Sequence, residues 1–319
     1  IKLQAVAAGE HSLEQFVAQL SPKELDDLSH GWGEMNSPLG AAGNAGVLGG
    51  ITDKLREKGI LPITAVDGPS GIRLEAISSL LPCGTVLASS FNKTLITELY
   101  ALIAEEMKNH GAHLLLAPGL NIQRDPLGGR NFEYFSEDPL LTGEMGAAMV
   151  VGLQNNGVSA CPKHLACNNQ ETNRERNDSR ISERALREIY LKGFEITLKK
   201  SNPHAIMTSY NKINGVWSHY SYELATTVLR NEWGYDGLVI TDWWMQADSS
   251  PEFPTLKNDA YRVRAQVDVL MPGGDGWGNT KVGRHLLDTY GHDGGITLGE
   301  MQRSAINVLK FVLRFIEKA

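Results

Sequence analysis

No apolar run in the 319 residues approaches the ~18–20 that a membrane-crossing helix requires, so no membrane partner is expected. Basic excess is missing too: 30 Lys and Arg stand against 37 Asp and Glu, a formal charge of −7, which argues against a nucleic-acid partner. Cysteine is scarce. Cys83, Cys161 and Cys167 form an odd set without C-x-x-C spacing, which reads as reduced thiols in a cytoplasmic protein. The start at Ile1 shows no basic n-region followed by an apolar core, so no signal peptide is expected. Cofactor and metal signatures are equally lacking. There is no G-x-G-x-x-G after a first strand, and Gly273-Gly274-Asp275-Gly276 lacks the Lys-Ser/Thr of a phosphate loop. No H-E-x-x-H pairs the histidines, and His204 opens a strand away from the other candidate residues. Neither a cofactor nor a metal is expected.

Short apolar runs alternating with helical periods are what the chain does contain. The runs are Pro62–Val66, His113–Leu116, Val158–Cys161, Ala205–Thr208, Leu238–Thr241 and Val267–Met271, with Gly84–Leu87 a weaker seventh. Most lack strict alternation, as expected of parallel strands buried on both faces. Between them, Leu95, Leu99, Leu102, Ile103 and Met107 form one helical stripe, and Leu186, Ile189, Tyr190, Phe194 and Thr197 another. Met301, Ala305, Val308, Leu309, Val312 and Ile316 form a third, opened by a capping box from Thr297 to Glu300. Ser21-Pro22-Lys23-Glu24 repeats that signature, and Asp138-Pro139 caps and opens a helix. Gly31–Gly50, with seven glycines, reads as a long surface loop.

Polar residues recur just past the ends of these runs: Asp67, Arg124 and Arg130, Lys163-His164, Tyr210, Asp242 and Asp275. In a TIM-type (β/α)8 barrel such ends converge on one face, where active sites sit. The expected architecture is therefore an α/β barrel, irregular or missing a strand. One domain would span 1–319, with N-terminal helices and the Gly-rich loop over 1–60 and the barrel over 61–319.

Asp242, ending a buried strand before Trp243 and Trp244, reads either as a nucleophile beside a Trp243 sugar platform or as a helix N-cap. Lys163 reads as a Schiff-base nucleophile or, kept charged by carboxylates, as a binding group with His164 and Arg174. Arg130, after a Gly pair, can grip hydroxyls with its planar fork, whereas Glu133 and Asp138 read as architectural.

Taken in order, the segments Val66–Arg73, Gly129–Pro139, Lys163–Arg174, Met207–Asn211 and Thr241–Trp243 resemble the barrel domain of glycoside hydrolase family 3, of the β-glucosidase type. The resemblance runs from about Leu61 to Gly274. It implies retaining hydrolysis through a covalent glycosyl-enzyme on Asp242. Asp67, Arg130, Lys163, His164 and Arg174 would hold the terminal sugar of a β-glucoside or gluco-oligosaccharide; Tyr210 would flank the nucleophile, and Arg73 and Met207 would line the pocket. The acid/base in this type is a Glu of a following α/β sandwich domain, expected here from outside the chain. Leu165–Asn169 lacks the Gly-rich His sequence of the N-acetylglucosaminidase branch. A β-xylosidase of the same family and a sugar-binding barrel without its acid are the alternatives.

Overall fold

Both faces of the central strands are buried, and the side chains divide between them with a period of two. Ile63, Ala65, Leu114, Leu116, Cys161, Ala205, Met207, Leu238 and Ile240 belong to one apolar cluster. The residues between them, Val66, Leu115, Ala160, Ile206 and Val239, belong to a second, together with Ile103, Met149 and Phe194 from the helices. This double burial is why the runs carry no polar alternation. The computed structural model describes residues 1–33, 35–245, 260–273 and 286–316. Among these, no helix is long and apolar enough to cross a membrane.

The described residues form ten strands: β1 (Gly46–Gly49), β2 (Pro62–Val66), β3 (Leu114–Leu115), β4 (Ser159–Ala160), β5 (Asp178–Ser179), β6 (Ala205–Met207), β7 (Lys212–Ile213), β8 (Val216–Trp217), β9 (Leu238–Trp243) and β10 (Val269–Met271). One sheet runs β1-β2-β3-β4, antiparallel at β1–β2 and parallel thereafter; a second runs β10-β9-β6, all parallel. The third sheet, β5-β7-β8, is a small appendage. Its β7–β8 hairpin turns on Asn214 and Gly215, at φ 51° and 92°, the left-handed pair that a tight two-residue hairpin needs.

Isolated backbone bonds tie the two larger sheets together. On one side the Leu165 amide donates to Met207 O at 2.8 Å, and the Met207 amide to Pro162 O at 3.0 Å. On the other, Leu270 N donates to Ser29 O, Gly31 N to Leu270 O, and Trp32 N to Val47 O, all at 2.9–3.0 Å. The segment over 29–32 thus lies between β10 and β1.

Several expectations need correction. Gly84–Leu87 is not a strand; it begins the helix Gly84–Ser89, because no neighbouring strand pairs with it and Leu87 and Ala88 bury one helical face. The Gly-rich segment is not wholly a surface loop: residues 44–50 are buried and β1 pairs with β2 from within it, so the sheet begins before residue 61. In the helix Lys93–Asn109 the buried face is Ile96, Tyr100, Ile103, Ala104 and Met107, while Leu95 and Leu102 are exposed. Tyr100 draws the helix onto this face because its ring packs in the core while its hydroxyl donates to Pro69 O. A π-helical turn at Leu186–Tyr190 likewise rotates Ile189 outward and brings Leu191 inward.

The capping signals hold. Ser21 and Thr297 both close capping boxes, and Asp138 accepts from Leu140 N at 2.8 Å to open the helix Pro139–Gln154. The six apolar residues of the last helical stripe, Met301 to Ile316, are all buried. Thr297→Ala should therefore lower stability by about 1 kcal/mol, read as a shifted urea midpoint with an unchanged m-value. A midpoint within error of the parent would contradict the cap's role.

Candidate active site

Asp242 is the penultimate residue of β9 rather than a helix cap. Its neighbour Thr241 donates to Asp242 O at 2.7 Å and accepts from Met271 N at 2.9 Å, which ties this strand end to β10. One carboxylate oxygen, Oδ1, accepts from the Trp243 amide at 2.7 Å. The other, Oδ2, is buried and accepts no hydrogen bond among the described residues. Burial pushes this carboxyl up to about 6, against the pull of Arg130, the Trp243 amide, Lys163 and Arg174. A buried carboxyl with one unpaired, desolvated oxygen in a cavity is a candidate reactive group.

A four-membered charge array faces it. Lys163 Nζ lies 3.1 Å from Asp67 Oδ1 and 3.3 Å from Glu133 Oε1. Arg130 grips Glu133 bidentately, at 2.7 and 2.9 Å. Burial alone would discharge Lys163, but Asp67 and Glu133 outweigh it and hold the amine above its ordinary value. The same pairing brings Asp67 and Glu133 below theirs, again against burial. Lys163 is therefore a firmly charged donor, which removes the Schiff-base reading: an amine nucleophile must be neutral.

His164 is buried, and its Nε2 lies 3.7 Å from Asp242 Oδ2. Burial and then Arg130, Lys163 and Arg174 hold its pKa well below the ordinary value, so the ring is neutral. Arg174 reaches in from the loop after β4, pairs with Glu171 at 3.0 Å and stacks 4.6 Å above the Tyr210 ring. Tyr210 keeps its proton, because burial and the charge of Asp242 raise its pKa. Trp243 is buried, and its indole N–H donates to Ala45 O at 2.7 Å, anchoring the ring against the entry to β1. At the rim, exposed Arg73 pairs loosely with Asp67 at 3.8 Å.

One cavity of about 290 Å³ is lined by all ten residues selected from the sequence: Asp67, Arg73, Arg130, Lys163, His164, Arg174, Met207, Tyr210, Asp242 and Trp243. Met35, Ala45, Leu116 and Trp244 complete the lining. Arg124 is exposed and does not contribute, and Asp275 lies outside the described residues. Glu133 holds other side chains in place, through the ion pairs it makes with Arg130 and Lys163. Missed from the sequence were Met35 and Trp244, and the buried partners Asn121 and Tyr134 behind His164. Asn121 carried a usable signal, since it lies just past the Leu114–Leu116 run, as Lys163 does past Ala160-Cys161.

Metal-ligand geometry occurs elsewhere. Ligand atoms of Asp26, Asp27 and His30 lie within 4.8 Å of one another, yet Lys23 pairs with both carboxylates and offsets their charge. Nothing in the cavity itself clusters in that way among the described residues.

Comparison with known proteins adds the family. The model of the glycosyl hydrolase family 3 N terminal domain matches residues 49–302. The chain is 48% identical to a beta-glucosidase of Ruminococcus albus, over 98% of its own length and 33% of the relative's. It is 43% identical to beta-glucosidase A of Butyrivibrio fibrisolvens, over 75% and 28%. Its structure resembles a beta-glucosidase from Paenibacillus barengoltzii with a TM-score of 0.92 and 47% identity, covering 98% of this chain and 34% of that one. Beta-glucosidase 3B from Thermotoga neapolitana, solved in complex with glucose, follows at a TM-score of 0.85 and 36% identity, covering 95% and 43%. The chain spans about a third of the length of the curated relatives it matches.

Proposed function

Because this chain belongs to glycosyl hydrolase family 3 and carries its N-terminal domain, we propose that it supplies the nucleophile and sugar-binding subsite of a retaining, exo-acting β-glucosidase. The observation that carries this reading is the lone Oδ2 of Asp242, buried at the floor of a cavity lined with fixed cations and neutral hydrogen-bonding groups. Asp242 attacks the anomeric carbon of a terminal β-D-glucosyl residue, and water later resolves the glycosyl-enzyme. Lys163, Arg130 and Arg174 donate to the sugar hydroxyls, while Asp67 and neutral His164 accept from them. Because these groups are already held by one another, they need little reorganisation as charge develops on the ring. A missing hydroxyl would leave a buried charged donor unpaired, which is the basis for selectivity.

The fold is read as one irregular (β/α)8-like barrel over 1–319, in which the segment 29–32 completes the ring between β10 and β1. Protonation of the leaving oxygen requires a second carboxyl group ~5–5.5 Å from the nucleophile. That acid is assigned to a Glu of a separate α/β sandwich domain or subunit, consistent with the length of the relatives. A β-xylosidase differs only in the sugar accepted, and relative turnover of aryl glucoside and xyloside separates the two.

The test is intact mass after incubation with a 2-deoxy-2-fluoro-β-glucoside of dinitrophenol, a leaving group that departs without protonation. A gain of one fluoroglucosyl unit supports a working nucleophile; no gain from a folded chain that still binds glucose favours a sugar-binding barrel. The labelling rate should have an acid limb. Asp242 must be ionised to attack, so the rate falls as pH drops through about 6, the raised value of its carboxyl. A limb at the ordinary carboxylate value near pH 4 would mean that Asp242 is not desolvated.

A further inference from the structure

The peptide and ring of His164 are held by a single side chain whose own orientation is unambiguous. Asn121 is buried, and its Nδ2 donates to His164 O at 2.9 Å, while its Oδ1 accepts from the His164 backbone N–H at 3.0 Å. Reversing the amide would set N–H against N–H and oxygen against oxygen, so these two bonds fix which end is which. The same Oδ1 lies 3.0 Å from His164 Nδ1. A carbonyl oxygen can only accept, so the proton of the neutral ring must sit on Nδ1. The Tyr134 hydroxyl, 3.3 Å from Nδ1, already accepts from Asn168 Nδ2 at 3.0 Å and can share the same proton.

Nε2 is then the bare nitrogen, and it is the atom that faces Oδ2 of Asp242 at 3.7 Å. At that distance, beyond hydrogen-bond reach, the bare nitrogen presents no N–H dipole to the unpaired Oδ2.

We propose that Asn121 is a positioning residue which locks His164 in the Nδ1–H tautomer, so that Nε2 enters the pocket as an acceptor and leaves Oδ2 of Asp242 without a donor. The part given to Asp242 rests on the glucosidase reading; the tautomer does not. A proton on Nε2 would aim the positive end of its N–H dipole at the carboxylate, stabilise its charged form and make it a weaker base and nucleophile. With Nε2 bare, the groups that stabilise the carboxylate charge are Arg130, Lys163, Arg174 and the Trp243 amide, with Tyr210 beside them. Substrate gains as well, since a bare Nε2 accepts from a sugar hydroxyl that the surrounding cations cannot satisfy.

Two measurements that need no turnover decide it. In the chain labelled with 15N-histidine, the His164 signals are identified by their loss in His164→Gln. The expected result is a protonated Nδ1 and an unprotonated Nε2 from pH 6 to 8; a protonated Nε2 overturns the proposal. The second is titration of the Asp242 side-chain carboxyl, 13C-labelled, in Asn121→Leu. Freed from Asn121, the ring can place its proton on Nε2, and the carboxyl midpoint should drop by about one pH unit or more. An unchanged midpoint in a folded variant would reduce Asn121 to a structural role and overturn the link to Asp242. Should that variant fail to fold, the spectrum of the parent chain still decides. Failure of glucoside labelling alongside a bare Nε2 would remove the glucosidase reading and leave the tautomer standing.

Discussion

Asp242→Asn should lose covalent labelling by a factor of about 10⁴ or more and at the same time melt higher than the parent at neutral pH. The loss follows from chemistry, because an amide has no charged oxygen to attack the anomeric carbon. The gain follows from linkage. A carboxyl whose folded pKa is raised from 3.8 to about 6 binds its proton more tightly in the folded chain than in the unfolded one. Below about pH 4 both states are protonated and the residue costs nothing. Between 4 and 6 the cost of burying its charge grows, and above 6 it is fully present, at about 3 kcal/mol. Asparagine never carries that charge. The advantage of the variant should therefore vanish near pH 4 and reach its maximum above pH 6, as read from paired thermal melts across that range. A variant that is equally active, or less stable than the parent at pH 7.5, would show that Asp242 is not the desolvated nucleophile proposed for this site.

Lys163→Met should be the most damaging single substitution to the fold of the cavity, lowering stability by about 3–5 kcal/mol. The amine is buried and serves two carboxylates, Asp67 at 3.1 Å and Glu133 at 3.3 Å. Removing it leaves Glu133 with Arg130 alone and Asp67 with the loose, exposed Arg73. Most of the cost is this abandoned negative charge rather than the lost attraction itself. Adding Asp67→Asn should then restore a large part of the stability, whereas two independent sites would simply add. Glucose should no longer raise the melting temperature of the single variant, since the donor to its hydroxyls is gone. Wild-type-like stability in Lys163→Met would mean that water, not protein, satisfies Asp67.

How much of this was legible differs from residue to residue. Asp242, Lys163 and Asp67 could be picked out because each is a charged residue directly past a run apolar on both faces, a place where charge is costly without a role. Glu133 read as architectural for the right outcome and without its partners: nothing in Gly129–Pro139 says that it shares a cation with Asp67, 66 positions earlier. Asn121 offered only its place past the Leu114–Leu116 run, and being uncharged it did not stand out there; its meaning lies in the His164 atoms it touches. The face of Lys93–Asn109 was misjudged for a related reason. Its leucines mark a plausible stripe, but Tyr100 can be buried only where Pro69 O waits for its hydroxyl.

By itself, the sequence determined the alternation of buried strands and helices, the helix caps, and the set of polar side chains delivered at the strand ends. Those follow from local rules, since periodicity, capping and burial depend on residues within a turn or two of one another. Tertiary structure alone decided that residues 29–32 and β1 belong with the sheets, which cation answers which carboxylate, and which nitrogen of His164 carries its proton. Apart from the local pairs Arg130–Glu133 and Arg174–Glu171, these are contacts between residues well separated in the chain, such as Lys163 with Asp67 and Asn121 with His164. Their energy depends on distances of a few ångströms and on the exclusion of water, and neither is written in the spacing of the chain.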